Sequence, residues 1–244
     1  MSKVALVTGG GVRLGRAIAL GLARAGFDVL VHANKSTAAA AGVASEIERI
    51  GQRAEVLVAD LADLGALDAL VTAVRAKAPK LALLVNNAGI YEHVKFEDVA
   101  RAQLGQMLAV NLMAPFFLTQ GVLPCLRAAG DACVVNITDM AVDKPYGPAQ
   151  HMSHYLTAKA GLAALTRAWA TELAPSVRVN AVAPGPVAVS ADTTPEDRER
   201  LWRTVPLGRE GSPDDVARAV VFFATGAPYV TGQTLRVDGG LSAC

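Results

Sequence analysis

The sequence predicts an α/β chain of the doubly wound class: one parallel sheet of seven strands with helices on both faces. Two observations carry that expectation. Seven short apolar runs recur along the 244 residues: VALVT (4–8), DVLVH (28–32), AEVLVA (54–59), LALLVN (81–86), ACVVNIT (132–138), VRVNAVA (177–183) and QTLRVD (233–238). Their near-continuous valine, leucine and alanine content leaves no polar alternate face, which is the pattern of parallel strands buried under helices on each side. Stretches of helical period lie between them, and strand alternating with helix argues for a doubly wound sheet. No linker, low-complexity tract or repeat divides the chain, so residues 1–244 are expected to form a single domain around one large core.

Composition narrows the function. Hydrophobic residues make up 52%, charged residues 18%, and the formal net charge is +1. That excludes the basic surface of a nucleic-acid binder and the charge excess of a disordered chain, and makes small-molecule chemistry the default. The apolar run near residue 4 is too short for the hydrophobic region of a secretory signal. No later stretch approaches the roughly 20 uninterrupted apolar residues of a membrane span. Cys125, Cys133 and Cys244 have no metal-ligand spacing and cannot all pair with one another, which fits reduced thiols. A soluble, cytoplasmic protein with no nucleic-acid, membrane or metal partner is therefore expected.

The first strand passes into TGGGVRLG (8–15) and then into a helical stretch beginning RAIALGLARAG. Gly9, Gly10 and Gly11 at the strand end, with Gly15 inside the next helix, let backbone N–H groups approach a pyrophosphate at a helix N-terminus. The spacing is not GxGxxG, and no GKS or GKT sequence follows, so a nucleoside-triphosphate loop is disfavoured and a dinucleotide is the expected ligand. The plainer alternative is a tight strand-to-helix turn carrying a solvated arginine. The end of the second strand bears on which dinucleotide. Folds that bind NAD usually place a carboxylate there against the ribose hydroxyls. No Asp or Glu occurs from position 29 through 45, where His32, Asn34, Lys35, Ser36 and Thr37 stand instead. Lys35, Ser36 and the guanidinium of Arg13 would attract a 2′-phosphate, which arginine can hold bidentately. NADP(H) is the cofactor expected.

Tyr155 and Lys159, in YLTAK (155–159), stand four apart and share a face if helical. An ammonium there can stabilise a phenolate and lower the tyrosine pKa from about 10 toward the working range, which makes Tyr155 a candidate proton donor. After the sixth strand, ADTTPEDRERLWRT (191–204) is a polar, proline-containing insertion. Loops past the carboxyl ends of strands are where such folds bind ligands, so a short substrate lid is expected near 186–208.

The segments TGGGVRLG, NNAG (86–89), VNLMAPFFLTQ (110–120), YLTAK, VNAVAPGPV (179–187) and YVTGQTLRVDGG (229–240) resemble, in order and spacing, the short-chain dehydrogenase/reductase family. The likeness covers nearly the whole chain and implies a Rossmann-fold oxidoreductase. It also implies that Lys159 reaches the nicotinamide ribose and that Asn111 holds a water for a proton relay. Leu14 would belong to the glycine turn, His32 would lie near the adenosine phosphate, and Asp60 with Leu61 would meet the adenine. Asn87, Ala88 and Gly89 would form the turn beside the cofactor, and Pro184 with Gly185 the turn under the nicotinamide. His93, His151 and His154 fall in no motif and are expected at the surface or in loops. A homotetramer is implied as well, with the apolar helices at 107–128 and 156–174 available as an interface.

One departure from the family pattern bears on substrate. Where family members usually have a serine that hydrogen-bonds a carbonyl, this chain reads ITDM (137–140) and places Asp139. Asp139 precedes Tyr155 by sixteen residues, a few more than usual, so the loop 143–154 is expected to bulge. An ionised aspartate cannot donate a hydrogen bond, but in a dry site its pKa rises and it can hold a proton. Aspartate there, with arginine in the glycine turn, resembles the pteridine reductase branch, which includes bacterial dihydropteridine reductases. Tyr91 falls where an aromatic residue stacks a pterin in that branch. Three readings stand: a pterin reductase using NADPH, a reductase of an ordinary ketone or 3-oxoacyl carbonyl with Asp139 merely structural, and a non-catalytic NADP(H) sensor. Intact Tyr155, Lys159 and Asn111 argue against the last.

Overall fold

The computed structural model describes residues 3–145, 151–187 and 194–243. Seven parallel strands form one sheet: β1 (Lys3–Val7), β2 (Phe27–Ala33), β3 (Ala54–Val58), β4 (Leu81–Asn86), β5 (Ala132–Ile137), β6 (Val177–Pro184) and β7 (Thr234–Val237). Their order is β3-β2-β1-β4-β5-β6-β7. The helices are α1 (Arg13–Arg24), α2 (Thr37–Ile50), α3 (Leu64–Lys77), α4 (Arg101–Leu108), α5 (Ala114–Ala129), α6 (Ser153–Glu172), α7 (Pro195–Thr204) and α8 (Pro213–Val221). This is the doubly wound architecture that the seven apolar runs predict.

Those runs show no polar face because successive residues enter different cores. Val29 and Val31 pack with α1, α2 and α8, whereas Leu30 between them packs on the other side of the sheet. Val85 and Leu84 of β4, and Val135 and Val134 of β5, divide the same way. The second core is closed by α3, α5 and α6, through residues such as Leu67, Leu118 and Trp169. Burying an apolar side chain of this size contributes about 1.5–3 kcal/mol, and the two cores hold the central strands from both faces.

The strand order reverses between β1 and β4. In an open parallel sheet, such a switch point opens a crevice at the carboxyl ends of the strands, and there the glycine turn after β1 meets the NNAG segment after β4. A continuous helical stretch from Arg101 to Ala129 comprises α4, a π-helical turn (Ala109–Met113) and α5. By length and composition it could cross a membrane. Here Leu118, Val122 and Leu126 are buried against the sheet instead. Cys125 and Cys133 are buried free thiols; Cys244 lies outside the described residues.

Candidate active site

A cleft of about 1240 Å³ runs along the carboxyl ends of the strands. Ordinary ligand pockets occupy about 300–1,000 Å³, so this one has room for a dinucleotide and a second molecule. Of the residues the sequence assigns to cofactor, substrate or catalysis, all but Gly10, Gly11, Thr37 and Asn111 line it. Gly11 is buried behind the turn, where an added Cβ would meet the backbone of Ala40 in α2. It spaces the turn from α2 and does not face the ligand.

The adenosine end is built on the glycine turn. Gly15 lies so close beneath Gly9 that any Cβ on it would strike the Gly9 carbonyl oxygen. The N-cap of α1 is Val12, which offers no side-chain acceptor, so the first turn of the helix has no side-chain cap. A helix start with no side-chain cap, behind a turn that opens on three glycines, suits an anion, and the positive end of the helix dipole favours one. The pyrophosphate of a dinucleotide therefore fits the residues present. Arg13 has a backbone φ of +48°, in a region that L-residues avoid. Arg13, Asn34 and Lys35 are exposed and Ser36 half-buried at this end of the cleft. The Asp60 carboxylate accepts from the Ala62 amide, which shapes the turn after β3.

Two residues hold this end from behind, and the sequence reading missed the first. Thr8 accepts hydrogen bonds at Oγ1 from the amides of Asn87 and Ala88, both at 2.9 Å, and donates to the Val85 carbonyl. The Asn87 side-chain amide returns to the Thr8 carbonyl at 2.8 Å. The only sequence signal for Thr8 is its place between strand and glycines. His32, expected near the adenosine phosphate, lines the cleft but turns both ring nitrogens onto backbone groups: the Gly9 amide at 3.2 Å and the Ala59 carbonyl at 3.1 Å. No ring nitrogen is left over for a phosphate.

At the other end, the Tyr155 hydroxyl donates to Asp139 Oδ2 at 2.9 Å. Asp139 Oδ1 accepts from the Ala141 amide at 2.8 Å and caps a short 3-10 turn (Met140–Val142). Burial raises the Asp139 pKa, opposed by those hydrogen bonds and by the Lys159 charge. Lys159 is buried, donates to the Ile137 carbonyl at 2.8 Å, and lies 5.8 Å from the centre of the Tyr155 ring. Burial brings its pKa down to about 8. The arrangement can hold and pass a proton: a hydroxyl, a carboxyl and an ammonium lie close together in a partly dry site.

The Asn111 side chain is committed. Its amide donates to the Ile90 carbonyl at 2.9 Å, and its oxygen accepts from the Ile90 amide. Both of its polar groups thus hold the backbone of Ile90 just after the NNAG turn. Asn111 lies within the π-helical turn, where the shifted backbone ladder alters which carbonyls are free.

Tyr91 stands edge-on to Tyr155, ring centres 6.3 Å apart at 64°, with His93 edge-on at its other side. His154 is a correction: it is buried, not superficial, and lies 3.8 Å from Glu92. Pro186, Val187, Leu201 and Thr204 line the substrate end, so part of the expected lid faces the cleft, while residues 188–193 lie outside the described set. Gln106 and Val110, four apart on the continuous helical stretch, and Met152 also line it, and no motif in the sequence points to them.

A doubly wound sheet with a ligand cleft at its switch point, a helix start with no side-chain cap at one end and a tyrosine–lysine pair at the other, defines a dinucleotide-dependent oxidoreductase. A family model described as enoyl-(acyl carrier protein) reductase matches residues 11–242. An uncharacterized oxidoreductase of Mycobacterium tuberculosis is 38% identical over 246 residues, covering 98% of this chain and 92% of its own. A 3-oxoacyl-(acyl-carrier-protein) reductase of Synechocystis is 36% identical over 243 residues, covering 98% and 97%. The crystal structure of acetoin dehydrogenase from Salmonella typhimurium superposes with a TM-score of 0.89 at 31% identity, covering 100% of this chain and 97% of that one. The chain belongs to the short-chain dehydrogenase/reductase family, whose members bind a nicotinamide cofactor.

Proposed function

We propose that this protein is an NADPH-dependent reductase of a pterin, and that Asp139, Tyr155 and Lys159 form its proton-donating group. The observation that carries the reading is the 2.9 Å hydrogen bond from the Tyr155 hydroxyl to a carboxyl whose pKa is raised by burial. A developing alkoxide beside an ionised carboxylate would be repelled. A ring nitrogen accepting a proton beside a carboxyl that can hold one is not. Tyr91 supplies an aromatic wall at the same place, and ring contacts of this kind add about 0.5–1.5 kcal/mol beyond burial for a flat heterocycle. The cofactor, when bound, supplies hydride; the chain places the acceptor carbon opposite it and delivers the proton from Tyr155. Lys159 offers the ribose a donor and lends its charge to the tyrosine. A homotetramer is part of the same proposal, with Met113, Phe116 and Phe117 exposed on and beside α5 as apolar contact residues.

The names of the Synechocystis and Salmonella relatives favour a second reading, a reductase of a ketone or 3-oxoacyl carbonyl. NADPH oxidation measured against a pterin panel and a ketone panel separates the two. Turnover of a dihydropteridine or related pterin is expected. Turnover of ketones alone leaves the carbonyl reductase, and turnover of neither, with NADPH still bound, leaves a sensor.

Preference for NADPH follows from the adenosine end. Arg13 keeps its guanidinium at a backbone conformation that glycine would adopt more easily, and Lys35 flanks the same rim with no carboxylate on the β2 side. Charge-assisted hydrogen bonds contribute about 1.5–3 kcal/mol each. The double variant Arg13→Ala/Lys35→Ala is expected to weaken NADPH binding by about 100-fold or more while leaving NADH binding nearly unchanged. Equal dissociation constants for the two cofactors in the native protein would exclude the 2′-phosphate clamp.

A further inference from the structure

We propose that His32 is a positioning residue for the dinucleotide, fixing the relative placement of the three strand ends that form the adenosine half of the cleft. The inference rests on the dinucleotide reading of that cleft, and its geometry is specific. The Gly9 amide donates to Nδ1 at 3.2 Å, and Nε2 meets the Ala59 carbonyl at 3.1 Å. An amide can only donate and a carbonyl can only accept, so the imidazole is neutral with its hydrogen on Nε2. Burial, which lowers the His32 pKa, favours that neutral form.

The sheet alone does not do this work. The β1–β2 ladder reaches Val7 paired with Val31, and the β2–β3 ladder reaches Ala33 paired with Val58. Beyond them the chain turns out of the sheet at Gly9, where φ is +62° and the amide no longer points along the ladder. His32 takes that amide and ties it across its own strand to the segment after β3. Each bonded group leads directly into cleft residues: Gly9 into Arg13 and Leu14, His32 into Asn34 to Ser36, Ala59 into Asp60 and Leu61. With the Gly9 amide bonded to His32, a phosphate would be received at the first turn of α1, which has no side-chain cap. The backbone bonds from the Gly10 amide to the His32 carbonyl and from the Ala59 amide to the Ala33 carbonyl run beside the imidazole and set its register.

The test uses three single variants of the full chain: His32→Asn, His32→Gln and His32→Leu. Asparagine places its carbonyl oxygen where Nδ1 lies and can accept from Gly9. Glutamine places its polar end near Nε2 and reaches Ala59 only. Binding of NADPH to the purified proteins is followed by titration calorimetry, with thermal melting in parallel and the KM for the second substrate measured where turnover is found. His32→Leu, which keeps neither bond, is expected to weaken NADPH binding about tenfold or more, and His32→Asn and His32→Gln, which keep one each, by about threefold or more, with the KM for the second substrate unmoved. If His32→Leu fails to fold, the asparagine and glutamine pair decides. Native-like NADPH binding by both His32→Asn and His32→Gln overturns the positioning role. A native chain that binds no dinucleotide overturns the reading of the cleft, and this proposal with it.

Discussion

Tyr155→Phe is expected to lower turnover by about 10² or more while NADPH binding stays near native, the usual scale for losing a general acid. The substitution removes one oxygen and keeps the ring, so the edge-on contact with Tyr91 survives. What disappears is the hydroxyl that donates to Asp139 at 2.9 Å. Asp139 is the nearest remaining acid, and its raised pKa lets it serve as a weaker substitute, so the residual rate should rise as pH falls. Full turnover in Tyr155→Phe would assign the proton to another donor. Lys159 is expected to set a further alkaline limb, beyond that of Asp139. Burial lowers its pKa to about 8, so the ammonium beside the tyrosine is present below that value and lost as pH rises through it. The turnover number at saturating substrates should therefore fall above about pH 8, and a flat profile to pH 10 would remove Lys159 from the proton-donating group.

The sheet was legible because buried parallel strands concentrate their signal. LALLVN at 81–86 is β4 to the residue, and the other runs match their strands to within a residue or so at each end. Chemistry was legible where a motif fixes both spacing and element, as with Tyr155 and Lys159 on α6. The polar insertion at 191–204 was harder. Among the described residues it becomes α7, and its signals were local: Thr194 accepts from the Asp197 amide, and Pro195 opens the helix. Orientation across elements was not legible. Nothing in VLVHANKS shows that His32 faces the turn after β1 and the segment after β3, because both partners are backbone groups 23 and 27 residues away. His154 was misread for a related reason. α6 is buried over a broad arc, taking in His154, Ala158 and Leu162 as well as Tyr155 and Lys159, so a residue just outside the motif is not thereby on the surface.

Asp139→Ser is expected to separate the two substrate readings by the largest margin. Asp139 has two jobs, one for each oxygen. Oδ1 accepts the Ala141 amide at the start of a 3-10 turn, and serine is among the residues that can do the same, so the fold should survive at a cost of about 1 kcal/mol or less. Oδ2 accepts from Tyr155, and a serine hydroxyl is too short and too weakly acidic to replace a carboxyl that can hold a proton beside that phenol. Pterin reduction should therefore drop by about 10² in the variant. Reduction of simple ketones should survive or rise, because the carboxylate that would oppose a developing alkoxide is gone and a hydroxyl able to donate to it has taken its place. The pH profile provides an independent check. Since burial raises the Asp139 pKa, its protonated form persists to higher pH than an exposed aspartate would allow and is lost as pH rises through that value. Native pterin turnover should decline along the same limb, and Asp139→Ser should lose the limb together with the activity. Unchanged pterin turnover in the variant would reduce Asp139 to a turn cap. No pterin turnover in the native protein would make the carbonyl reductase the better account of the same tyrosine and lysine.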